Sequence, residues 1–398
     1  MPPSLKEHLD PGTGPKRVLA LDGGGTLGII EVAFLERIED LLRERHGGSD
    51  SFRLCHYFDL IGGTSTGALI ATALALGMRA SEVKALYFDF ARKIFRRPLF
   101  GLPFLDPQFS ASGLNKVLDK MLGDRKLESA DLQTGLALLL KRVDTGSPWV
   151  LTNNPRNMFW DDPPNDPVTN KRPHIGNRHY RLKDILRAST AAPYYFAPHT
   201  INVVPSEPPG LFVDGSVSPH NNPALMLLMM TGIDGYRLGW TLDKDALLLV
   251  SIGAGAVRPE LPVEDGRRMS AVGLAKHALQ SVIWDGQMHA LKTLQWVSAT
   301  RKPWPIDMEV GALGRERLTS DPFAQRTLAT FQRYDVMLDA AWIAAEADVK
   351  MSKAAAKRLN DFVNPAIMKD AYEIASKAAA KQVQSEDFPQ QFNLVRAI

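Results

Sequence analysis

The chain has 398 residues, 45% hydrophobic and 23% charged, which excludes a disordered, collagen-like or coiled-coil protein and leaves a globular one with a sizeable core. Lys and Arg number 47 against 44 Asp and Glu, a formal charge of +3, too near neutral for a nucleic-acid binder held by a broad basic surface. The single cysteine, Cys55, excludes an intramolecular disulfide framework and Cys-x-x-Cys zinc or redox sites, and fits a core thiol in a reducing compartment.

In chain order, residues 1–15 lack both the apolar stretch of a signal peptide and the Arg-rich make-up of a transit peptide, so they are expected as a disordered lead on a cytoplasmic protein. The longest apolar stretches, near Ala68 to Met78 and Ala224 to Met230, are too short to span a bilayer, which restricts membrane contact to the periphery. Lys16 to Asp22 reads as a strand ending at three glycines, and Ile30, Phe34, Ile38 and Leu41 follow at helical spacing. Tyr57 to Gly62 reads as a second strand, Thr64 to Thr66 as its turn and Ala68 to Met78 as an apolar helix. Two strand-turn-helix units in succession predict a parallel sheet with helices packed on it.

Further along, Ser112 is placed to cap a helix that stops at Gly123. Gly135 to Val143 and Trp149 to Thr152 read as strands, and Asn153 to His179 as a surface loop whose Asp and His residues match no metal-ligand spacing. A short helix around Leu182 to Leu186 precedes strands at Gly210 to Asp214 and Leu247 to Ile252. From Ala271 onward the periodicity is mainly helical. The organisation expected is one main domain over 16–300 with a helical extension over 301–398 packed on it.

Three segments carry chemistry. Gly63-Thr64-Ser65-Thr66-Gly67 fits Gly-x-Ser-x-Gly, the sharp strand-to-helix turn that exposes a serine hydroxyl at a helix N-terminus. Asp22-Gly23-Gly24-Gly25-Thr26-Leu27-Gly28 offers successive backbone N–H groups to an anion, either a phosphate or the oxyanion of a tetrahedral intermediate. Val213-Asp214-Gly215 delivers a carboxylate at a strand end.

Together with Ala188 to Phe196, Asn221 to Ala224 and Ser251 to Gly255, these segments resemble the ordered blocks of the patatin-like lipid acyl hydrolases, with a weaker echo at Gln332 to Asp335. The resemblance implies a three-layer α/β/α fold with a mainly parallel central sheet and extra C-terminal helices. It also implies a Ser-Asp dyad that cleaves lipid esters through an acyl-enzyme: Ser65 the nucleophile, Asp214 the base. Gly23, Gly24, Gly25 and Gly28 would form the oxyanion hole, and Gly63 and Gly67 the nucleophile elbow. Such chemistry needs no metal and no cofactor; the expected partner is a lipid or acyl ester at a membrane surface.

One position departs from the pattern. Where the family usually carries Arg or Lys, this chain has Leu27, which spares the backbone donors but removes a cation that could face a lipid phosphate. A Ser-His-Asp triad would also use Gly-x-Ser-x-Gly, with His220, His277 or His289 as candidates after the acid and His199 just before it. Two other classes compete: a sugar kinase of the actin-like ATPase type, using the glycine turn for phosphate, and a non-catalytic lipid-binding module. The stretch from Tyr87 to Phe109 mixes six Phe with Arg92, Lys93, Arg96 and Arg97. Its helical half fits the core, and its Pro- and Gly-punctuated half, Pro98 to Phe109, fits a lipid interface.

Overall fold

A computed structural model of the protein describes residues 2–95, 108–305 and 327–395. The strands are β1 (Lys16–Leu21), β2 (Leu60–Thr64), β3 (Gly135–Arg142), β4 (Pro148–Thr152), β5 (His199–Ile201), β6 (Gly210–Asp214), β7 (Leu247–Ile252) and β8 (Thr330–Tyr334). They form one sheet in the order β5-β6-β3-β2-β1-β7-β8, with β4 pairing β3 off that path. From β3 to β8 every pairing is parallel, whereas β4, β5 and β6 are antiparallel to their neighbours. The sheet is therefore mainly parallel, as the repeated strand-turn-helix pattern implies.

Helices cover both faces. In chain order they are α1 (Leu5–Leu9), α2 (Gly28–Arg45), α3 (Leu54–Tyr57), α4 (Thr66–Ala75), α5 (Ala80–Ile94), α6 (Ala111–Leu122) and α7 (Leu182–Ser189). After them come α8 (Ala224–Gly232), α9 (Val263–Arg268), α10 (Ala271–Val297), α11 (Ala340–Glu346), α12 (Lys353–Arg358) and α13 (Met368–Gln382). Side chains alternate across the strands, as the pleat requires: Leu19, Leu21, Ile61 and Val250 join the larger core under α2, α4, α5 and α13. Val18, Ala20, Leu60 and Leu249 join the smaller one with α8 and the end of α10. Three layers result.

Several expectations are corrected. The N-terminal lead is not all irregular: Ser4 and Glu7 form a reciprocal capping box around α1, a local signal carried by Ser-x-x-Glu. Leu9 is buried, and His8 Nδ1 lies 2.8 Å from Asp59 Oδ1. Tyr57 ends the short helix α3, and the strand starts later, at Leu60. Ser110, rather than Ser112, caps α6. The C-terminal third is not only helical, because β8 adds a strand beside β7. Of the Phe-rich stretch, residues 96–107 lie outside the described residues; Phe90 and Phe109 are buried in the core and Phe88 and Phe95 pack against it.

Candidate active site

Ser65 stands between β2 and α4 with φ 54° and ψ −123°, a left-handed-side conformation that costs a non-glycine residue on the order of 1–3 kcal/mol. The surrounding structure enforces it. A Cβ at Gly63 would collide with the backbone of Gly67, and one at Gly67 with the carbonyls of Leu21 and Asp22, so only glycines allow α4 to start this close to β1. The Ser65 N–H donates to Ser189 Oγ at 2.9 Å, and Ser189 in turn donates to the Leu139 carbonyl at 2.6 Å.

The Ser65 hydroxyl donates to Asp214 Oδ2 at 2.6 Å. Asp214 sits at the end of β6, where its other oxygen accepts the Ser216 N–H at 2.8 Å and its own N–H donates to the Ala191 carbonyl at 3.0 Å. Burial pushes its carboxyl up to about 6, against the opposing pull of the bonds from Ser65 and Ser216. Among the described residues no histidine ring bonds to either group. His199 faces Asp184 at 3.5 Å, His220 bonds through its backbone, its carbonyl accepting from Thr64 Oγ1 at 2.6 Å and its N–H donating to Ser218 Oγ at 3.3 Å, His277 lines the cavity beside the dyad, and His289 lies exposed on α10.

The glycine loop closes over the serine, but its amides are not equivalent. Gly23 donates to the Asn221 carbonyl at 3.0 Å, and Asn221 Nδ2 returns a bond of 3.2 Å to the Gly23 carbonyl. Gly28 donates to Gly25 within a single 3₁₀ turn. Both residues, expected as oxyanion donors, have amides committed elsewhere; Gly28 is needed because a Cβ there would strike the Tyr87 hydroxyl. Gly24 donates to Thr66 Oγ1 at 3.1 Å, and the Gly25 N–H has no acceptor among the described residues. Nor has the N–H of Thr66, which opens α4 directly after the serine. A loop with most of its amides so engaged suits one oxyanion better than a polyphosphate.

Beneath this loop lies a charge cluster that local spacing does not reveal. Arg333, on β8, donates to Asp22 through both terminal nitrogens, at 3.1 and 2.8 Å, and to Asp335 at 2.7 Å and Ser251 Oγ at 2.8 Å. Burial works against its charge, but Asp22 and Asp335 outweigh that and hold the guanidinium protonated. Glu31, fully buried nearby, has no hydrogen-bond partner on either oxygen, and burial pushes its carboxyl well above the usual range. Among the described residues no group of three or more His, Cys, Asp or Glu is placed to hold a metal ion.

Ser65 and Asp214 open onto a cavity of about 460 Å³. Leu27, Leu69, Phe90, Ile94, Phe95 and Leu114 make one side of it apolar; Arg258 and Lys276 stand elsewhere on the wall, with α10 contributing Gln280, Ile283 and Gln287.

The sequence model of the family described as Patatin-like phospholipase matches residues 19–228. A cGAMP-activated phospholipase of Escherichia coli (strain TW11681) is 33% identical over 217 residues, covering 54% of this chain and 55% of that protein. Patatin group J-1 of Solanum tuberosum is 30% identical over 253 residues, 60% of each. The chain thus spans little more than half the length of these curated relatives. Among solved structures, human GIVD cytosolic phospholipase A2 aligns over 96% of this chain and 61% of its own, at 12% identity and a TM-score of 0.46.

Proposed function

Because this chain belongs to the patatin-like phospholipase family, we propose that it is a serine acyl hydrolase that cleaves carboxylic esters of lipids through Ser65 and Asp214. One observation carries the reading: a buried, unmediated Ser65–Asp214 hydrogen bond of 2.6 Å at the wall of a largely apolar cavity. Asp214 takes the hydroxyl proton as Ser65 Oγ attacks the acyl carbon, and the unengaged Gly25 and Thr66 amides receive the oxyanion, joined by the Gly24 amide when it leaves Thr66 Oγ1. Collapse expels the alcohol, which leaves with the proton from Asp214. Water then gives a proton to Asp214 as it attacks the acyl-enzyme, and Asp214 returns that proton to Ser65 Oγ as the acyl–oxygen bond breaks and the fatty acid leaves. A carboxylate is a weak base, so a site that raises Asp214 to about 6 brings it nearer the working pH.

The acyl chain fits the apolar side of the cavity. Leu27 is buried there and supplies no cation, so a phosphate near the reacting carbonyl would have to reach Arg258 or Lys276 instead. Neutral acyl esters are therefore the favoured substrates over phospholipids. Leu27→Arg should raise phospholipid turnover relative to a matched diacylglycerol by roughly tenfold; an unmoved ratio of specificity constants would remove this reading of substrate class. For the chemistry itself, Ser65→Ala should abolish hydrolysis of a short-chain nitrophenyl ester while the protein stays folded. Turnover retained by that variant would refute the assignment.

A further inference from the structure

α10 is 27 residues long, yet its only buried side chains are Ala290, Leu291, Leu294 and Gln295, near its C-terminus. Between Ala271 and His289 no residue is buried. A helix surface so placed is ordinarily polar. Here it is Ala271, Val272, Leu274, Ala275, Ala278 and Val282, with Val272 61%, Leu274 51% and Val282 67% exposed. Arg267, Arg268 and Lys276 lie along this segment, and its acids stand at the two ends: Glu264, 3.8 Å from Arg267, and Asp265 before it, and Asp285 after it.

Two stripes run along this segment. Lys276, Gln280, Ile283 and Gln287, spaced four, three and four residues apart, line the cavity that holds Ser65. Ala271, Ala275, Ala278 and Val282 repeat the same spacing on another side of the helix, outside the cavity. One helix thus walls the cavity with a mainly polar stripe and turns an apolar one to solvent.

We propose that the N-terminal half of α10, residues 271–282, is the face by which the protein lies on an anionic phospholipid bilayer. The apolar stripe would sink to the boundary of headgroups and acyl chains, and Arg268 and Lys276 would meet lipid phosphates. Among the described residues no helix is long and apolar enough to cross a membrane, so the contact lies in the plane of the surface. The Lys276 ammonium stands 5.1 Å from the centre of the Tyr194 ring, and both residues line the cavity, which puts a cation where a lipid would leave the bilayer. The reason for such a face rests on the reading of the cavity as a lipid acyl hydrolase site.

The test is co-sedimentation of the full chain with vesicles of phosphatidylcholine, with and without phosphatidylserine, for wild type and for Val272→Glu combined with Val282→Glu. Both positions lie outside the cavity, so hydrolysis of a water-soluble ester should stay within about twofold, whereas partition onto the anionic vesicles should fall by about tenfold or more. Matching thermal melts keep misfolding out of the comparison. Undiminished vesicle binding by the double variant overturns the proposal. So does a wild type that ignores vesicles and forms dimers that the variant splits, since the face is then a contact between copies. Should vesicle binding depend on the two valines while wild type fails to cleave the soluble ester, the docking face stands and the hydrolase reading falls.

Discussion

Asp214 sets the pH behaviour of the proposed chemistry. Its carboxyl must be ionised to accept the Ser65 proton, and burial has moved it from the usual carboxylate range up to about 6. The sign follows: kcat/KM should rise with pH through about 6 and level off above it, whereas an exposed aspartate would place that limb near 4. A profile already flat at about pH 5 would contradict the assignment. Asp214→Asn keeps the shape of the side chain but cannot take the proton, and should lose about two to four orders of magnitude in rate. His277→Gln should cost far less, since the imidazole lines the cavity without bonding to the dyad.

At the scale of elements, β8 supports the glycine loop from behind. Strand register does this: Leu21 pairs with Ile252 across β1 and β7, and Ser251 pairs with Arg333 across β7 and β8, which brings the guanidinium beneath Asp22. Arg333 is therefore a positioning residue. Arg333→Lys retains the charge but loses the fork that spans Asp22 and Asp335; it should lower kcat by about tenfold with KM little changed, and steady-state kinetics on a soluble ester reads the split. Equal loss in both parameters would mean general distortion instead. This element also marks where reading the sequence ran out. Gly63 to Gly67 and Asp22 to Gly28 are legible because each is one contiguous turn with a strand before it and a helix after it. Arg333 lies 311 residues from Asp22, and no local periodicity announces that pairing. Helical spacing did place Phe90 in the core, where it lies, but beyond the helix there was no period to read: Phe109, expected at a lipid interface, is core as well, and a bare apolar stripe sits on α10.

Across the whole molecule, polar groups buried under the active site weaken the fold at neutral pH. Glu31 holds its proton in the folded state well above the pH at which the unfolded chain releases it, so its contribution to stability falls as pH rises from about 4.5 towards the folded value. Glu31→Met, which removes both unpartnered oxygens at similar length, should raise the melting temperature by a few degrees at about pH 8 and by less at about pH 4. A gain independent of pH would mean that the carboxyl is not held neutral. Whether Ser65 is an acylated nucleophile driven by Asp214 alone is decided by a fluorophosphonate probe with the modified peptide located by mass spectrometry. One adduct is expected, on Ser65, absent in Ser65→Ala, slowed at least about a hundredfold in Asp214→Asn and nearly unchanged in His277→Gln. An adduct on another residue, or labelling that Asp214→Asn leaves at the wild-type rate, would contradict that mechanism.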